Sequence, residues 1–117
     1  MLHNKTQPCN DCPFRRVSMS GWTGDATPEE FIQIAMQDTQ IPCHLTVDYS
    51  DPDWQHKLDT AEQCVGQLQF FNNHFKLSIH ECSMRQQRKV GRNQNIFQFE
   101  HEFLEHHHTH LKALLDG

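Results

Sequence analysis

The chain has 117 residues, 36% of them hydrophobic, with a mean hydropathy of -0.75 and a formal net charge of -5. That length fits a single domain spanning 1–117, with a core thin enough to need a staple beyond hydrophobic burial. The acidic balance excludes a protein that coats nucleic acid, which requires clustered Lys and Arg, and makes a protein partner the better expectation.

Leu2 is the only strongly apolar residue of the first dozen. No signal peptide or transmembrane stretch is read there, so the expected compartment is the cytoplasm, with no membrane partner. Five cysteines in a reducing compartment read as metal ligands or redox thiols, and an odd count fits a fully paired disulfide framework poorly.

In chain order, residues 1–25 are polar and punctuated by Pro8, Pro13, Gly21 and Gly24, which predicts irregular backbone around the Cys9-x-x-Cys12 clip. Thr27 is a natural N-cap, with Pro28 at the first helical position and Glu29 and Glu30 facing the positive end of the helix dipole. This first helix should run to about residue 37 and bury Phe31, Ile34 and Ala35, with Ile32 and Met36 widening the stripe. Pro42 ends any continuation and delivers Cys43 and His44. Residues 48–53 read as an acidic surface loop with Trp54 at its end. A second helix is predicted over 60–72, with Cys64 in or just before its first turns, Val65, Leu68, Phe71 and Phe75 as its inward stripe, and Gly66 either weakening the helix or marking a close backbone approach. Phe75, Leu77 and Ile79 alternate as in a short half-buried strand. Arg85, Arg88, Lys89 and Arg92 form a basic island, read as a solvated loop able to contact phosphate or an acidic partner. From residue 95 to 117 the pattern is an amphipathic helix, with Ile96, Phe99, Phe103, Leu104, Leu111, Leu114 and Leu115 on its apolar side and Glu100, Glu102, Glu105 and many histidines opposite. The expected fold is mainly α, with about three helices behind a metal-stapled N-terminal loop, or a small α+β variant. Residues 1–80 form its metal-binding body.

Cys9, Cys12, Cys43 and Cys64 suit one tetrathiolate centre. A Cys-x-x-Cys turn points two sulfurs inward while its N–H groups support them, and two further thiolates complete either a zinc tetrahedron or the corners of a [4Fe-4S] cluster. Such a centre carries net negative charge, which Arg15 and Arg16, directly after the clip, are placed to offset. Structural zinc sites usually draw on two clips, and this chain has one, which puts [4Fe-4S] slightly ahead of zinc. His44 is a candidate substitute ligand, read first as a hydrogen-bond donor to a sulfur. Cys82 is the remaining thiol, read as a small buried apolar residue. A dithiol redox role for Cys9 and Cys12 lacks the strand–helix context that such motifs use. His101, Glu102 and His106 miss the zincin spacing by one residue. His106 and His110 share a helix face, and with His107 and His108 they are read first as solvated polarity rather than as a metal site. No nucleophile elbow, phosphate-binding glycine loop or paired-carboxylate motif is present, so enzymatic chemistry has no support in the sequence.

In cysteine spacing alone, the clip, its following proline and the two distant singletons resemble the cluster loop of the iron–sulfur uracil-DNA glycosylases. The resemblance implies a cluster type and no activity. Over residues 8–70, Pro8-Cys9-Asn10-Asp11-Cys12-Pro13-Phe14-Arg15, Pro28-Glu29-Glu30-Phe31, Pro42-Cys43-His44 and Cys64-Val65-Gly66 resemble a functionally uncharacterised family of small bacterial and phage proteins. That resemblance implies a metal-binding fold whose shared thiols are these four cysteines, with His44 and Arg15 as companions. It also implies residence in the host cytoplasm if the protein is phage-encoded. The expected function is a metal-binding accessory or regulatory module acting on another protein. The alternatives are an iron–sulfur redox sensor or enzyme, and a small nucleic-acid-binding domain, which is not favoured.

Overall fold

A computed structural model describes the backbone of residues 1–116 and the side chains of residues 1–109. Among the described residues the chain is mainly helical. α1 is Pro28–Met36, α2 is Val65–Asn73, α3 is Glu81–Val90 and α4 is Glu100–Asp116, with short 3₁₀ segments at His44–Thr46 and Trp54–Thr60. β pairing is confined to isolated bridges. No helix among the described residues is long and apolar enough to cross a membrane. His110, Leu111, Leu114 and Leu115 lie outside the described side chains.

α1 forms where its signals place it. Thr27 Oγ1 accepts the Glu30 N–H at 3.1 Å, and Pro28, Glu29 and Glu30 occupy the first turn. Its inward face is Ile32 and Ala35, with Phe31 and Met36 half-buried, whereas Ile34 turns out to solvent. α2 starts at Val65 rather than at residue 60, because 54–60 coils as a 3₁₀ segment kinked at Lys57. It is the central element, buried from Val65 through Phe71.

The apolar core is a ring cluster. Phe14 lies 5.4 Å from Phe31, 5.3 Å from Phe70 and 5.6 Å from Phe103, between centroids, and Phe97 meets Phe103 edge-on. These rings join the loop after the cysteine clip to α1, α2 and α4. Pairings between backbone groups fix the same loop: Phe97 N–H donates to the Phe14 carbonyl at 3.0 Å, and Arg16 N–H to that of Asn95 at 2.8 Å.

Four further expectations are corrected. The basic island is not a loop, because Arg85, Arg88 and Lys89 ride on α3, whose buried face is Ser83, Gln86 and Gln87. With only polar residues on its inner face, this helix carries no apolar period to read. Residues 75–79 do not form a half-buried strand. Phe75, Leu77 and Ile79 point outward, and the residue held inside is Ser78. The C-terminal helix begins at Glu100, because residues 92–99 form a turn that buries Ile96 and Phe97. Cys82, expected to be buried, is exposed.

Candidate metal centre

Residues 41–43 and 62–64 run antiparallel, with Cys43 N–H donating to the Glu62 carbonyl and Cys64 N–H to that of Ile41, both at 2.7 Å. This pairing places Cys43 opposite Glu62 and Cys64 opposite Ile41, so the two cysteines share one face of the ladder. Cys64 is the N-cap of α2, so its sulfur lies at the positive end of that helix. The Cys9–Cys12 turn closes through Cys12 N–H to the Cys9 carbonyl at 3.2 Å, and brings its own pair over the same helix end. Gly66 makes the approach possible. A Cβ there would stand 2.2 Å from Cys12 Sγ and 3.2 Å from Phe14 Cβ.

Cys9, Cys12, Cys43 and Cys64 therefore line one cavity of about 170 Å³, together with Trp22, Thr23, Gly24, Phe31, Ile41, Pro42, His44 and Tyr49. Cys12 and Cys64 touch, with sulfurs 3.7 Å apart. As the side chains stand, no group of three or more His, Cys, Asp or Glu among the described residues is arranged to hold a metal ion. The donor set nevertheless fits a thiolate-bound group: four soft ligands from three chain segments face one hollow, over a glycine that leaves room for the innermost sulfur.

The local field separates the four thiols. Cys9 is lowered to about 6, chiefly by its hydrogen bond with Cys12, then by the Asp11 backbone and by the charge of His44, against the cost of burial. Cys64 is also lowered, first by the Cys12 hydrogen bond and then by the backbone N–H groups of Gln67 and Gly66 at the start of α2. Cys12 is raised well above the ordinary thiol range, first by its hydrogen bonding with the Cys64 and Cys9 sulfurs and then by burial. Cys43 is raised mainly by burial.

Neither arginine expected to balance the centre lies on the cavity. Arg15 donates to the Asn10 carbonyl at 2.9 Å and so braces the clip from outside. Arg16 pairs with Glu102 at 2.7 Å, donates to the Gln94 carbonyl and lies over the Phe97 ring. The cation in place is Lys5, whose Nζ stands 3.5 Å from Cys43 Sγ. No sequence signal marks Lys5, because it lies 38 positions before Cys43 and only the fold brings the two together. His44 lines the cavity and packs against Trp22, with centroids 4.6 Å apart. None of Arg85, Arg88, Lys89 and Arg92 lines it.

Two further brackets escaped sequence reasoning. Gln67, fully buried on α2, accepts the Ile41 N–H at 3.0 Å and donates to the Thr39 carbonyl at 2.7 Å, which ties the segment leading to Cys43 to the helix capped by Cys64. Two histidines of α4, His106 and His107, serve as clamps where solvated polarity was expected. Buried His107 donates Nε2–H to the Pro13 carbonyl at 2.8 Å and accepts the Gly21 N–H at Nδ1, while His106 holds the Ser18 carbonyl at 2.7 Å. Both grip the loop that carries the clip.

No protein-family model matches the chain, and neither the curated proteins nor the solved structures give a match.

Proposed function

We propose that this protein is a small four-cysteine metal-binding module that acts as an accessory or regulatory factor on another protein, in keeping with the phage-type family that its motifs resemble. The observation that carries the metal reading is the convergence of Cys9, Cys12, Cys43 and Cys64 on one cavity. A cavity of about 170 Å³ is roughly tenfold the space that one water-sized occupant needs. That favours a group of several atoms, and a [4Fe-4S] cluster has eight. The cluster would be held by the four thiolates, with the N-terminus of α2 and Lys5 balancing its charge.

A second reading, zinc, rests on the Cys12–Cys64 contact. A tetrahedral Zn–S distance of about 2.3 Å implies sulfur separations of about 3.8 Å, and this pair is at 3.7 Å. Metal content and the visible spectrum of protein purified without oxygen and without a histidine tag separate the two. About four irons per chain with a brown colour is the expected result. One zinc in a colourless protein would establish the second reading, and neither metal at stoichiometric level would overturn both.

A further inference from the structure

Between Lys76 and Arg92 lie five of the chain's ten basic residues and a single acid, Glu81, while the remaining five basic residues share the rest of the chain with fourteen acids. The segment that opens this stretch, residues 75–79, exposes its large apolar side chains. Phe75 is 78% exposed, Leu77 66% and Ile79 87%, whereas Ser78 between them is 4% exposed. Alternating residues of an extended segment point to opposite sides, so the segment is oriented by its polar residue. Ser78 Oγ donates to the buried Asp38 carboxylate at 2.8 Å, Ile79 N–H donates to it at 2.6 Å, and the Ser78 N–H donates to Gln87 Oε1 at 2.8 Å. These bonds hold three large apolar groups in water.

Phe75 sharpens the point. It sits just past α2 in the left-handed region, with φ 62°, and its neighbour Lys76 donates N–H to the Phe71 carbonyl at 2.9 Å. Helix ends of this form favour glycine, and a bulky residue there is strained. An exposed aromatic in a conformation that costs folding energy has no packing role to justify it. Its ring instead carries Arg92, whose guanidinium carbon is 4.8 Å from the centroid. Beside it, a groove of about 430 Å³ is lined by Phe75, Leu77, Lys76, Gln87, Arg88 and Arg92. Arg88 and Lys89 make no hydrogen bond or ion pair with the described residues.

We propose that the face formed by Phe75, Leu77 and Ile79 with Arg88 and Arg92 is a docking surface for an acidic, amphipathic segment of a partner protein. Apolar side chains of the segment would cover Leu77 and Ile79 and enter the groove, while its carboxylates would meet the unpaired cations in the bidentate manner that guanidinium favours. The occupant is a protein segment rather than single-stranded nucleic acid for two reasons. Leu77 and Ile79 offer no ring on which a base can stack, and the one ring present already carries Arg92. The surface does not depend on what fills the cysteine cavity.

Fluorescence anisotropy tests this with four labelled probes: an 18-residue Glu/Leu/Phe amphipathic helix, the same peptide with Lys for Glu, the same peptide with Ser for Leu and Phe, and a 20-nucleotide oligo-dT. The acidic amphipathic peptide should bind at least tenfold more tightly than each of the other three. Arg88→Glu with Arg92→Glu, and separately Leu77→Ser with Ile79→Ser, should each weaken it at least fivefold. Phe75→Gly should weaken binding while raising Tm by about 3–6 °C, the signature of a residue kept for contact at the expense of folding. Equal binding of the acidic and apolar-free peptides, tighter binding of the oligonucleotide, or no binding of any probe would overturn the proposal.

Discussion

The two flanks of α2 are packed by different means. Toward α1 and α4 it presents Phe70 to the ring of Phe14, which in turn meets Phe31 and Phe103, an apolar contact with little directional demand. Toward α3 it presents amides. Asn72 Nδ2 donates to the Gln87 and Gly91 carbonyls, Gln69 Nε2 to that of Val90, and Gln87 Nε2 to Asn72 Oδ1 and to the Lys76 carbonyl. The ring flank supplies burial and supports the cysteine cavity, while the amide flank supplies direction and holds the exposed apolar face in place. Hydrophobic packing alone would have turned Leu77 and Ile79 inward. The amide and Asp38 bonds are what prevent it.

The comparison predicts its own ranking of losses. Phe103→Ala should be the most damaging single change, costing about 3–5 kcal/mol in chemical denaturation, since it empties the point where four rings meet. Gly66→Ala should cost about 1–3 kcal/mol and also abolish metal binding, because the new Cβ displaces the Cys12 sulfur from the cavity. A metal-replete Gly66→Ala protein would show that Cys12 is not a ligand. On the amide flank, Gln87→Leu should cost about 1–3 kcal/mol by leaving the Ser78 N–H and the Lys76 carbonyl unpaired, with faster hydrogen exchange at residues 76–80 than in α1. Uniform exchange would contradict the division of labour.

The ring flank also contains a pH dependence. His74 packs edge-on against Phe70 and Phe71, and its two ring nitrogens are buried without a hydrogen-bond partner among the described residues. Burial, aided by the charge of Lys76, lowers its pKa below the ordinary 6.5. Glu100 and the Phe70 and Gln98 carbonyls, which face the ring outside hydrogen-bonding geometry, oppose the shift. The unfolded chain therefore takes up the proton first, and stability is lost as pH falls below about 6.5. Thermal melts should show Tm falling from pH 7 to pH 5.5 in the wild type and less so in His74→Phe. A further loss below pH 4.5 should follow protonation of Glu102, whose carboxylate Arg16 holds down. Leu77→Ser and Ile79→Ser should move stability least, within about 0.5 kcal/mol each, because both side chains already stand in solvent.

These differences explain what the sequence disclosed. α1 was legible because its cap, proline and acidic turn are local signals. The convergence of the four cysteines was legible as chemistry, since an odd cysteine count with one clip and two singletons fits a paired disulfide framework poorly, while Gly66 left two readings open, a weakened helix or a close approach, and the fold supplies the second. α3 was not legible, because Ser83, Gln86 and Gln87 are buried by hydrogen bonding and leave no apolar stripe. The 75–79 segment was read inside out for the same reason: alternation tells which residues share a side, and Asp38, 40 positions from Ser78, decides which side faces in. His107 looked like surface polarity because a buried imidazole needs partners that only the fold supplies, here Pro13 and Gly21.

X-ray absorption at the metal edge decides whether the four cysteines serve one centre. A shared tetrathiolate site should give a nearest shell made only of sulfur, at about 2.3 Å, lost in Cys43→Ser. A shell dominated by nitrogen or oxygen, unchanged by that substitution, would contradict it and move the metal to the histidines of α4.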